Sequence, residues 1–368
     1  MQSEGDSLSV LSKSVLPKTV AVDVNPATRE VATGTEIYTR EVAMRLPLVA
    51  PDLRWLFFAS RARAGLAIDV MVVPLPRLWS QLRLPAALVR ARPDLLFVPA
   101  HAIPFAWPGR ALTVVHDLAF EHFPDAYPAA ERSYLRLTTR WAAWRSRLLI
   151  AVSESTKSDL VRLYGVSADR IRVVPLGGGE QADRTAAPES RLKELGVDGD
   201  FVLQVGRIEA RKNQAAALAA VEKLDHTTLV VAGPERDRVI AARLRASSRC
   251  RVLGLVDAPT LDLLYRRARA VVVPSLYEGF GLPVIEAMSR GQVVVAARNS
   301  SLPEAGGDAA IYVDDPNQPD QLAKALAKAM QDGTQRTELV AAARKRAAEF
   351  TWDRCARGVA DVIHEVLR

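Results

Sequence analysis

Residues 273–291, VPSLYEGFGLPVIEAMSRG, place two carboxylates around a loop that contains two glycines. The apolar run at the start predicts a buried strand. Pro283 suits the first turn of a helix because proline has no N–H group to leave unpaired. Backbone N–H groups at such a helix start, together with the positive end of the helix dipole, bind phosphate. Glu278 and Glu286 flank this element, and the alternative is a generic turn whose glutamates cap the helix or face solvent.

A second segment, VGRIEARKNQ at residues 205–214, places two cations after a strand that ends at Gly206. Arg207 follows the strand directly, and Lys212 lies near the start of the next helix. Arginine offers a planar fork and lysine a point charge, and together they suit a diphosphate. Either residue taken alone is more often an ordinary surface cation, but the two together beside a Gly-rich helix start favour a binding site.

The motifs that carry a family resemblance are GR at 206–207, RKN at 211–213, EGFGLP at 278–283, EA at 286–287, NSSLPE at 299–304, IYVDD at 311–315 and FTW at 350–352. They closely resemble the retaining family-4 glycosyltransferases, whose E-x7-E motif the two glutamates match. The resemblance covers nearly all of residues 200–368. In the first half it rests on VHDL at 115–118, on His101 after a strand, and on GTE at 34–36, where many relatives carry Gly-Gly.

The resemblance implies a role for each matching residue. Arg207 and Lys212 would bind the donor's pyrophosphate, Glu278 would hold sugar hydroxyls, and Glu286 would hydrogen-bond the ribose. His116, at a strand end, would reach the transferred sugar. The remaining implied contacts are Gly206, Val256, Gly279, Phe280, Gly281 and Leu282 on the donor side, and Gly34, Thr35 and His101 on the acceptor side.

The reaction that the resemblance implies is sugar transfer with retention of anomeric configuration. The donor would be GDP-mannose-like or a UDP-sugar, and the acceptor a glycan or lipid-linked molecule in envelope polysaccharide or glycoconjugate synthesis. The leaving phosphate would take the acceptor proton, and no metal or other cofactor is expected; Asp314 and Asp315 are interpreted as a loop at a strand end. A phosphorylase, a sugar-nucleotide epimerase or a catalytically inactive partner subunit on the same architecture remain alternatives.

Short apolar runs alternate with helical patterns along the chain, which predicts an α/β fold with parallel sheets. The predicted strands are 20–25, 54–59, 69–74, 94–100, 111–117, 148–153, 171–176, 201–205, 228–232, 251–253, 270–274, 293–297 and 310–313. The predicted helices are 36–46, 131–147, 213–223, 259–267, 283–290, 320–332 and 337–349. The resemblance implies the GT-B arrangement, in which two Rossmann-like domains face one another.

The break in pattern at 177–190, which mixes Gly, Pro, Ser and charge, divides the chain in two. Residues 1–18 are expected to form a flexible tail, 19–178 an acceptor-side domain, and 179–352 a nucleotide-sugar-binding domain. A last helix at about 353–368 either ends the second domain or returns to the first. Ligands in such sheets bind at the carboxyl ends of the strands, so the cleft between the domains is the expected site.

Composition excludes several classes of protein. The chain has 368 residues, of which 49% are hydrophobic, too many for a disordered protein. Two cysteines provide no disulfide framework, which favours a reducing, cytoplasmic compartment. No apolar run approaches the length of a membrane span. The formal net charge of +7 suggests nucleic acid, but no nucleic-acid motif or stacking platform accompanies it.

Much of the excess charge lies at residues 54–92, which hold seven arginines and one acid, Asp69. Within it, residues 77–92 interleave arginine with leucine and one tryptophan, a pattern typical of helices that lie on anionic membranes. Pro85 is expected to interrupt any long helix there. Contact with the inner face of the cytoplasmic membrane, contact with the acceptor, and a solvated face are all compatible with this pattern.

Overall fold

The computed structural model describes residues 16–30, 33–75, 79–100, 102–180 and 187–368. The first sheet is formed by Thr19–Asp23 (β1), Arg54–Ala59 (β2), Val70–Val72 (β3), Leu95–Val98 (β4), Ala111–Val115 (β5), Leu149–Ala151 (β6) and Ile171–Val173 (β7). The second is formed by Phe201–Val205 (β8), Thr228–Ala232 (β9), Cys250–Gly254 (β10), Ala270–Val273 (β11), Val294–Ala297 (β12) and Ile311–Val313 (β13). Each predicted strand coincides with one of these, so the predicted α/β class is confirmed.

Both sheets are parallel and doubly wound. The strand order is β3-β2-β1-β4-β5-β6-β7 in the first domain and β10-β9-β8-β11-β12-β13 in the second. In register, Val20 of β1 pairs with Trp55 of β2 on one side and with Leu95 of β4 on the other. The order reverses between β1 and β4 and again between β8 and β11. A crevice opens at such a reversal, at the carboxyl ends of the strands.

Helices cover both faces of each sheet. They are Gly34–Val49 (α1), Trp79–Ala91 (α2), Ala119–His122 (α3), Ala129–Arg145 (α4), Glu154–Tyr164 (α5), Ser190–Glu194 (α6), Gln214–Val221 (α7), Arg238–Arg245 (α8), Ala258–Arg267 (α9), Leu282–Ser289 (α10), Leu302–Gly306 (α11), Pro319–Met330 (α12), Thr334–Ala347 (α13) and Trp352–Leu367 (α14). Because both faces are covered, the strands are apolar throughout rather than alternating. In β1, for example, Val20 and Val22 join one core cluster and Ala21 the opposite one.

The last helix returns to the first domain. Helix α14 packs against α1, and its Val359 and Ile363 are fully buried in the same cluster as Tyr38 and Val42. At the start of α14, Asp353 accepts a hydrogen bond of 2.8 Å from Arg45 of α1. The described start of the crossing from the first domain to the second lies beside the return crossing, because the Gly179 N–H donates to the carbonyl oxygen of Phe350 at 2.8 Å. Residues 181–186 lie outside the described part.

The expectation that Pro85 interrupts a helix is wrong, because α2 continues through it. Proline removes one backbone hydrogen bond from a helix interior. Here Pro85 is buried, and Leu84 and Leu88 on either side are fully buried in the core. Packing of this face outweighs the local preference.

The arginine-rich segment does not form a single surface. Its residues are distributed over β2, β3 and α2, and Arg63 donates to the carbonyl oxygens of Ala27 and Arg29. Arg77 lies outside the described residues. No helix in the described ranges is long and apolar enough to cross a bilayer. The thiols of Cys250 and Cys355 are both free and buried, and burial raises the pKa of each to about 12.

Candidate active site

A cavity of about 320 Å³ lies between the carboxyl ends of the two sheets. That volume falls within the range of small-molecule sites in proteins. Every predicted site residue in the described part of the chain lines it: Gly34, Thr35, His116, Gly206, Arg207, Lys212, Val256, Glu278, Gly279, Phe280, Gly281, Leu282 and Glu286. His101 lies outside the described residues. Residues more than 200 positions apart in the chain therefore meet in one place.

Lys212 and Glu278 form a buried ion pair inside this cavity. Lys212 ends the short 3-10 turn Ala210–Lys212 after β8, and Glu278 follows β11. Burial lowers the pKa of Lys212, and the carboxylate of Glu278 opposes that effect. Burial alone would raise the pKa of Glu278, but Lys212 and Arg211 outweigh it and hold the pKa below its usual value. The Glu278 carboxylate is therefore held in its charged form, whereas burial leaves the pKa of Lys212 below its usual value in spite of the ion pair.

Arg211 is a site residue that sequence reasoning missed. It is buried, ion-pairs with Glu209 at 2.7 Å and with Glu278 at 3.5 Å, and donates to the carbonyl oxygen of Tyr277 at 3.1 Å. Its own carbonyl accepts from the N–H of Leu276. Arg211 thus fixes the loop that carries Glu278. Its neighbour Lys212 is predicted from its place near the start of the next helix, and spacing alone gives no sign that Arg211 joins the same buried cluster.

Two helix N-termini face the cavity. Helix α1 contributes Gly34 and Thr35, and α10 contributes Leu282, with Gly281 as its N-cap at φ +102°. A residue with a side chain rarely adopts that φ, which explains the glycine. The positive ends of both helix dipoles, together with Arg207 and Lys212, make the cavity attractive to an anion.

Arg207 links the domains at this point. Its Nη2 donates to Thr33 Oγ1 at 3.1 Å, and Thr33 is the N-cap of α1. Thr33 forms a capping box with Glu36, whose carboxylate accepts from the Thr33 N–H. The cation after β8 is thereby placed directly beside the α1 helix start.

The loop of residues 275–281 touches the first domain. A Cβ atom on Gly279 would lie 1.8 Å from the carbonyl oxygen of His116, so only glycine allows this approach. The Gly279 carbonyl also accepts from the hydroxyl of Ser153 at 2.7 Å. Glu304 on α11 of the second domain accepts hydrogen bonds from the N–H groups of Glu154 and Ser155 at 2.7 Å each. This carboxylate thereby caps the start of α5 in the first domain.

Tyr277 makes the most extensive contact across the cleft, and sequence reasoning did not find it. Its hydroxyl donates to Asp159 Oδ2 at 2.9 Å and accepts from the Leu118 N–H at 3.2 Å, and its ring stacks on His122. Asp159 also bonds His122 and Arg162 at 2.8 and 2.6 Å. Burial would raise the pKa of Asp159, but these partners together lower it.

The opposite end of the cavity is less charged. Val256 and Leu261 line it, and Glu286 Oε2 accepts from the Tyr265 hydroxyl at 2.8 Å. Tyr265 is itself fully buried, so it fixes the direction of the carboxylate. One oriented carboxylate beside an apolar wall suits a ribose and its base.

His116 follows β5 at the carboxyl edge of the first sheet. Its Nε2 lies 2.7 Å from the carbonyl oxygen of Pro99, and the ring of Tyr38 meets it edge-on at 4.8 Å. The imidazole is thereby oriented against two fixed groups while it lines the cavity.

Acidic residues at the other strand ends have protein partners. Asp314 pairs with Arg298 at 2.8 Å, and Asp315 accepts from the Asn317 N–H at 3.0 Å. Among the residues that the structure describes, no group of three or more His, Cys, Asp or Glu is arranged to hold a metal ion.

Asp23 is a further buried carboxyl at the cavity edge of the first sheet, at the end of β1. Burial raises its pKa to about 7, although the Asn25 N–H, 2.9 Å away, and Arg29 both favour the charged form. The predicted strand 20–25 runs past Asp23, and nothing in the spacing reveals that this carboxyl ends the strand or how deeply it is covered.

Two family models match the chain. Residues 33–177 match "Glycosyltransferase Family 4", and residues 189–346 match "Glycosyl transferases group 1". Among curated proteins, an O-antigen chain mannosyltransferase B of Escherichia coli is 33% identical over 260 residues, which are 67% of this chain and 68% of that protein. A D-inositol 3-phosphate glycosyltransferase of Acidothermus cellulolyticus is 33% identical over 57% of this chain and 51% of its own length.

Solved structures share the fold over almost the whole chain. A sucrose-phosphate synthase from Thermosynechococcus elongatus matches with a TM-score of 0.75 at 20% identity, over 95% of this chain and 98% of that one. The Anabaena protein HepE, in complex with UDP and glucose, matches with a TM-score of 0.73 at 20% identity, over 95% and 100%.

We predict that Tyr277→Phe loosens the contact between the domains. The Leu118 N–H loses its acceptor and Asp159 loses one donor, so amide exchange at Leu118 should be about 2- to 10-fold faster. Hydrogen exchange read by NMR or mass spectrometry measures this. The exposed Tyr134 on α4 provides the control variant Tyr134→Phe, and unchanged exchange at Leu118 in Tyr277→Phe would contradict the assignment.

We predict that Asp23 makes stability depend on pH. An unfolded Asp ionises near pH 4 and the folded one near pH 7. Between these values the native state holds the extra proton, so the free energy of unfolding falls as pH rises. Asp23→Asn should remove that slope. The free energy of unfolding of Asp23→Asn relative to wild type should therefore be higher at pH 8 than at pH 4, by on the order of 2–4 kcal/mol.

Urea denaturation of wild type and Asp23→Asn at several pH values measures this difference. Asp361→Asn, at an exposed position on α14, is the matched control and should leave the slope as it is. If the wild-type and Asp23→Asn stabilities stayed parallel from pH 4 to pH 8, the burial of this carboxyl would be disproved.

Proposed function

Because this chain belongs to the family-4 glycosyltransferases of GT-B architecture, it is a glycosyltransferase, and we propose that its donor is a nucleoside-diphosphate mannose. The acceptor we propose is a glycan or lipid-linked molecule of envelope polysaccharide or glycoconjugate synthesis. The observation that carries the proposal is the convergence of Arg207, Lys212 and two helix N-termini on one cavity. Glu278 and Glu286 face the same cavity from the sides where a sugar and a ribose would lie.

The cations fit the departure of a diphosphate. When the bond between the sugar and the phosphate breaks, negative charge grows on the departing oxygen. Arg207, Lys212 and the α10 N-terminus line the same cavity, so a diphosphate bound there would need little reorganisation of these groups as charge develops. Closure of the domains over the donor excludes water and strengthens each of these interactions.

Glu278 has two functions in this scheme. With no donor, its carboxylate neutralises Lys212 and accepts from the Ser275 hydroxyl at 2.7 Å. With a donor bound, the diphosphate would replace Glu278 as the ion-pair partner of Lys212. A carboxylate oxygen of Glu278 would then be available to accept hydrogen bonds from sugar hydroxyls. Arg211 keeps the loop in place throughout, because its bonds to Glu209 and to the Tyr277 carbonyl do not involve the donor.

We infer that the transfer retains the anomeric configuration. The acceptor hydroxyl attacks the anomeric carbon on the face from which the diphosphate leaves. The carbon–oxygen bond to the phosphate breaks, its electron pair goes to the phosphate oxygen, and that oxygen takes the acceptor's proton. This needs no nucleophilic carboxylate, no base from the protein and no metal. His116 would orient hydroxyls of the transferred sugar and the acceptor.

Two relatives bear on the sugar and the base. The Escherichia coli relative is named a mannosyltransferase of an O-antigen chain. The Anabaena structure contains UDP and glucose but shares only the fold at its level of identity. The first supports mannose as the transferred sugar, and the second keeps UDP sugars in the test.

Nucleotide binding is expected to stabilise the protein against heat. In a thermal-shift panel of GDP, UDP, ADP and their sugars, the matching diphosphate should raise Tm more than its monophosphate, since a ligand stabilises by the logarithm of its excess over Kd. Lys212→Gln should abolish most of this shift. The matched control is Lys223→Gln, because Lys223 is an exposed lysine paired with Asp320. A shift in Lys212→Gln equal to that of wild type would refute the site.

Transfer itself is tested with the matching donor and a soluble acceptor. Glu278→Gln should lower kcat about 100- to 1,000-fold, as expected for removal of one group aimed at the transition state. NMR of the first product formed from an α-linked donor should show an α linkage. A β-linked product would overturn retention, and a rate unchanged in Glu278→Gln would overturn the site.

A further inference from the structure

A second pocket lies at the edge of the second sheet opposite to the cavity described above, which we call the donor cavity. Its volume is about 750 Å³, and it is formed by the segments that lead into β8, β11 and β12, by α6 and by Arg336 of α13. The donor cavity lies at the carboxyl ends of the same sheet, so the two sites are at opposite ends of its strands. We call the second site the amino-edge pocket.

Positive charge predominates in the amino-edge pocket. Among the described residues that line it, the cations are Lys193, Arg266, Arg267, Arg269 and Arg336, and the acids are Glu189, Asp198 and Asp200. The acids lie toward solvent, since the side chains of Glu189 and Asp200 are 64% and 61% exposed. Those of Arg269 and Arg336 are only 31% and 17% exposed. The inner part of the pocket is therefore its more positive part.

Arg336 shares its carboxylate partner with Arg269. Asp332 Oδ1 lies 4.0 Å from Arg336 Nε, while Asp332 Oδ2 accepts a hydrogen bond of 3.0 Å from Arg269 Nη2. Burial and the positive charge of Arg269 together lower the pKa of Arg336. The repulsion between the two guanidinium groups is thus incompletely offset, and an anion bound beside them would reduce it.

Two buried polar atoms of this pocket have no hydrogen-bond partner among the residues that the structure describes. Gln292 is 7% exposed, and its Nε2 donates to the carbonyl oxygen of Arg266 at 3.0 Å. This bond fixes the direction of the amide and leaves Oε1 as an acceptor without a donor. The second atom is Arg269 Nε, from which Asp200 Oδ2 is 3.7 Å away.

A buried polar group without a partner destabilises the folded protein, so each such group requires an explanation. Here an acceptor and a cationic donor without partners line one pocket. The pair would be satisfied by a single molecule that carries an anionic group for the arginine and a hydroxyl group for the amide oxygen. The arrangement therefore indicates a ligand with both groups.

We propose that the amino-edge pocket binds a small phosphorylated molecule that also carries hydroxyl groups, such as a sugar phosphate. Guanidinium groups suit the phosphate because their N–H groups bond its oxygens in pairs. A hydroxyl group of the same molecule donates to Gln292 Oε1. The volume of the pocket lies in the range of small-molecule sites.

The amino-edge pocket is separate from the donor cavity, although α9 borders both. Leu261 of α9 lines the donor cavity, and Tyr265 orients Glu286 there. The last residues of the helix, Arg266 and Arg267, line the amino-edge pocket instead. A molecule bound in this pocket therefore lies away from the groups that would bind the donor, and it does not compete with the donor.

Isothermal titration calorimetry with three probes tests the proposal. Mannose 6-phosphate carries a phosphate and hydroxyl groups, inorganic phosphate carries only the anion, and mannose carries only hydroxyl groups. Wild-type protein should bind mannose 6-phosphate about 2- to 10-fold more tightly than inorganic phosphate, as expected for an added hydrogen bond to a neutral group. It should bind mannose at least about 10-fold more weakly than mannose 6-phosphate, because the charged contacts are then missing.

Two variants place the ligand in the amino-edge pocket. Lys193→Gln/Arg267→Gln should lose at least about 10-fold in affinity for mannose 6-phosphate, and its two positions are exposed, so the fold should tolerate both changes. Arg336→Gln, in the inner part of the pocket, should lose at least about 10-fold as well. Thermal unfolding of each variant shows that the protein titrated is folded.

The matched control is Lys345→Gln/Arg357→Gln, which removes an exposed lysine and an exposed arginine on α13 and α14. It should bind mannose 6-phosphate like wild type, and so should Lys212→Gln, which changes only the donor cavity. Binding that is lost in Lys212→Gln would place the ligand in the donor cavity and overturn the proposal. Equal affinity of wild type and Lys193→Gln/Arg267→Gln would also overturn it, as would failure of wild type to bind mannose 6-phosphate.

Discussion

The ion pair between Lys212 and Glu278 exists because the loop of residues 275–281 is held from both sides of the cleft. In the second domain, Arg211 holds the loop through the Tyr277 carbonyl. In the first domain, Asp159 holds the Tyr277 hydroxyl, and the His116 carbonyl lies against Gly279. Glu278 thus faces the cavity while its two neighbours, Tyr277 and Gly279, contact the opposite domain. A change in the distance between the domains would consequently move this loop and, with it, the Glu278 carboxylate in the site.

The charge in the cavity is balanced in a way that suits exchange of one anion for another. A buried ion pair contributes little to stability, because the cost of desolvating two charges nearly offsets their attraction. The presence of the Lys212–Glu278 pair is thus better explained by a role in ligand binding than by a contribution to the stability of the fold. The Glu278 carboxylate opposes the effect of burial on the Lys212 ammonium, which lies where a second anion could bind. Arg207, bonded to Thr33 across the cleft, is available to the same anion.

Local signals in the sequence were sufficient to predict the strands and the loops that line the cavity, although not helix α5 or the buried Arg211. Continuous apolar runs marked the strands, and the glycines and prolines marked the turns where ligands bind. Contacts between segments that are far apart in the chain could not be predicted from the sequence. Nothing in the sequence around Tyr277 indicates that its hydroxyl binds Asp159. Nothing around Asp23 indicates that its carboxyl is buried. At Pro85 the local rule failed because the core packing of α2 outweighed the missing backbone bond.

The return of α14 to the first domain has a consequence for synthesis of the chain. Translation produces β1 and α1 first, yet Tyr38 and Val42 of α1 are covered by Val359 and Ile363. These last residues leave the ribosome after the entire second domain. One apolar face of the first domain therefore stays uncovered until α14 has been synthesised. The second domain must be translated before the first domain can complete its packing. Helices α1 and α14 therefore complete their packing together, although more than 300 residues separate them.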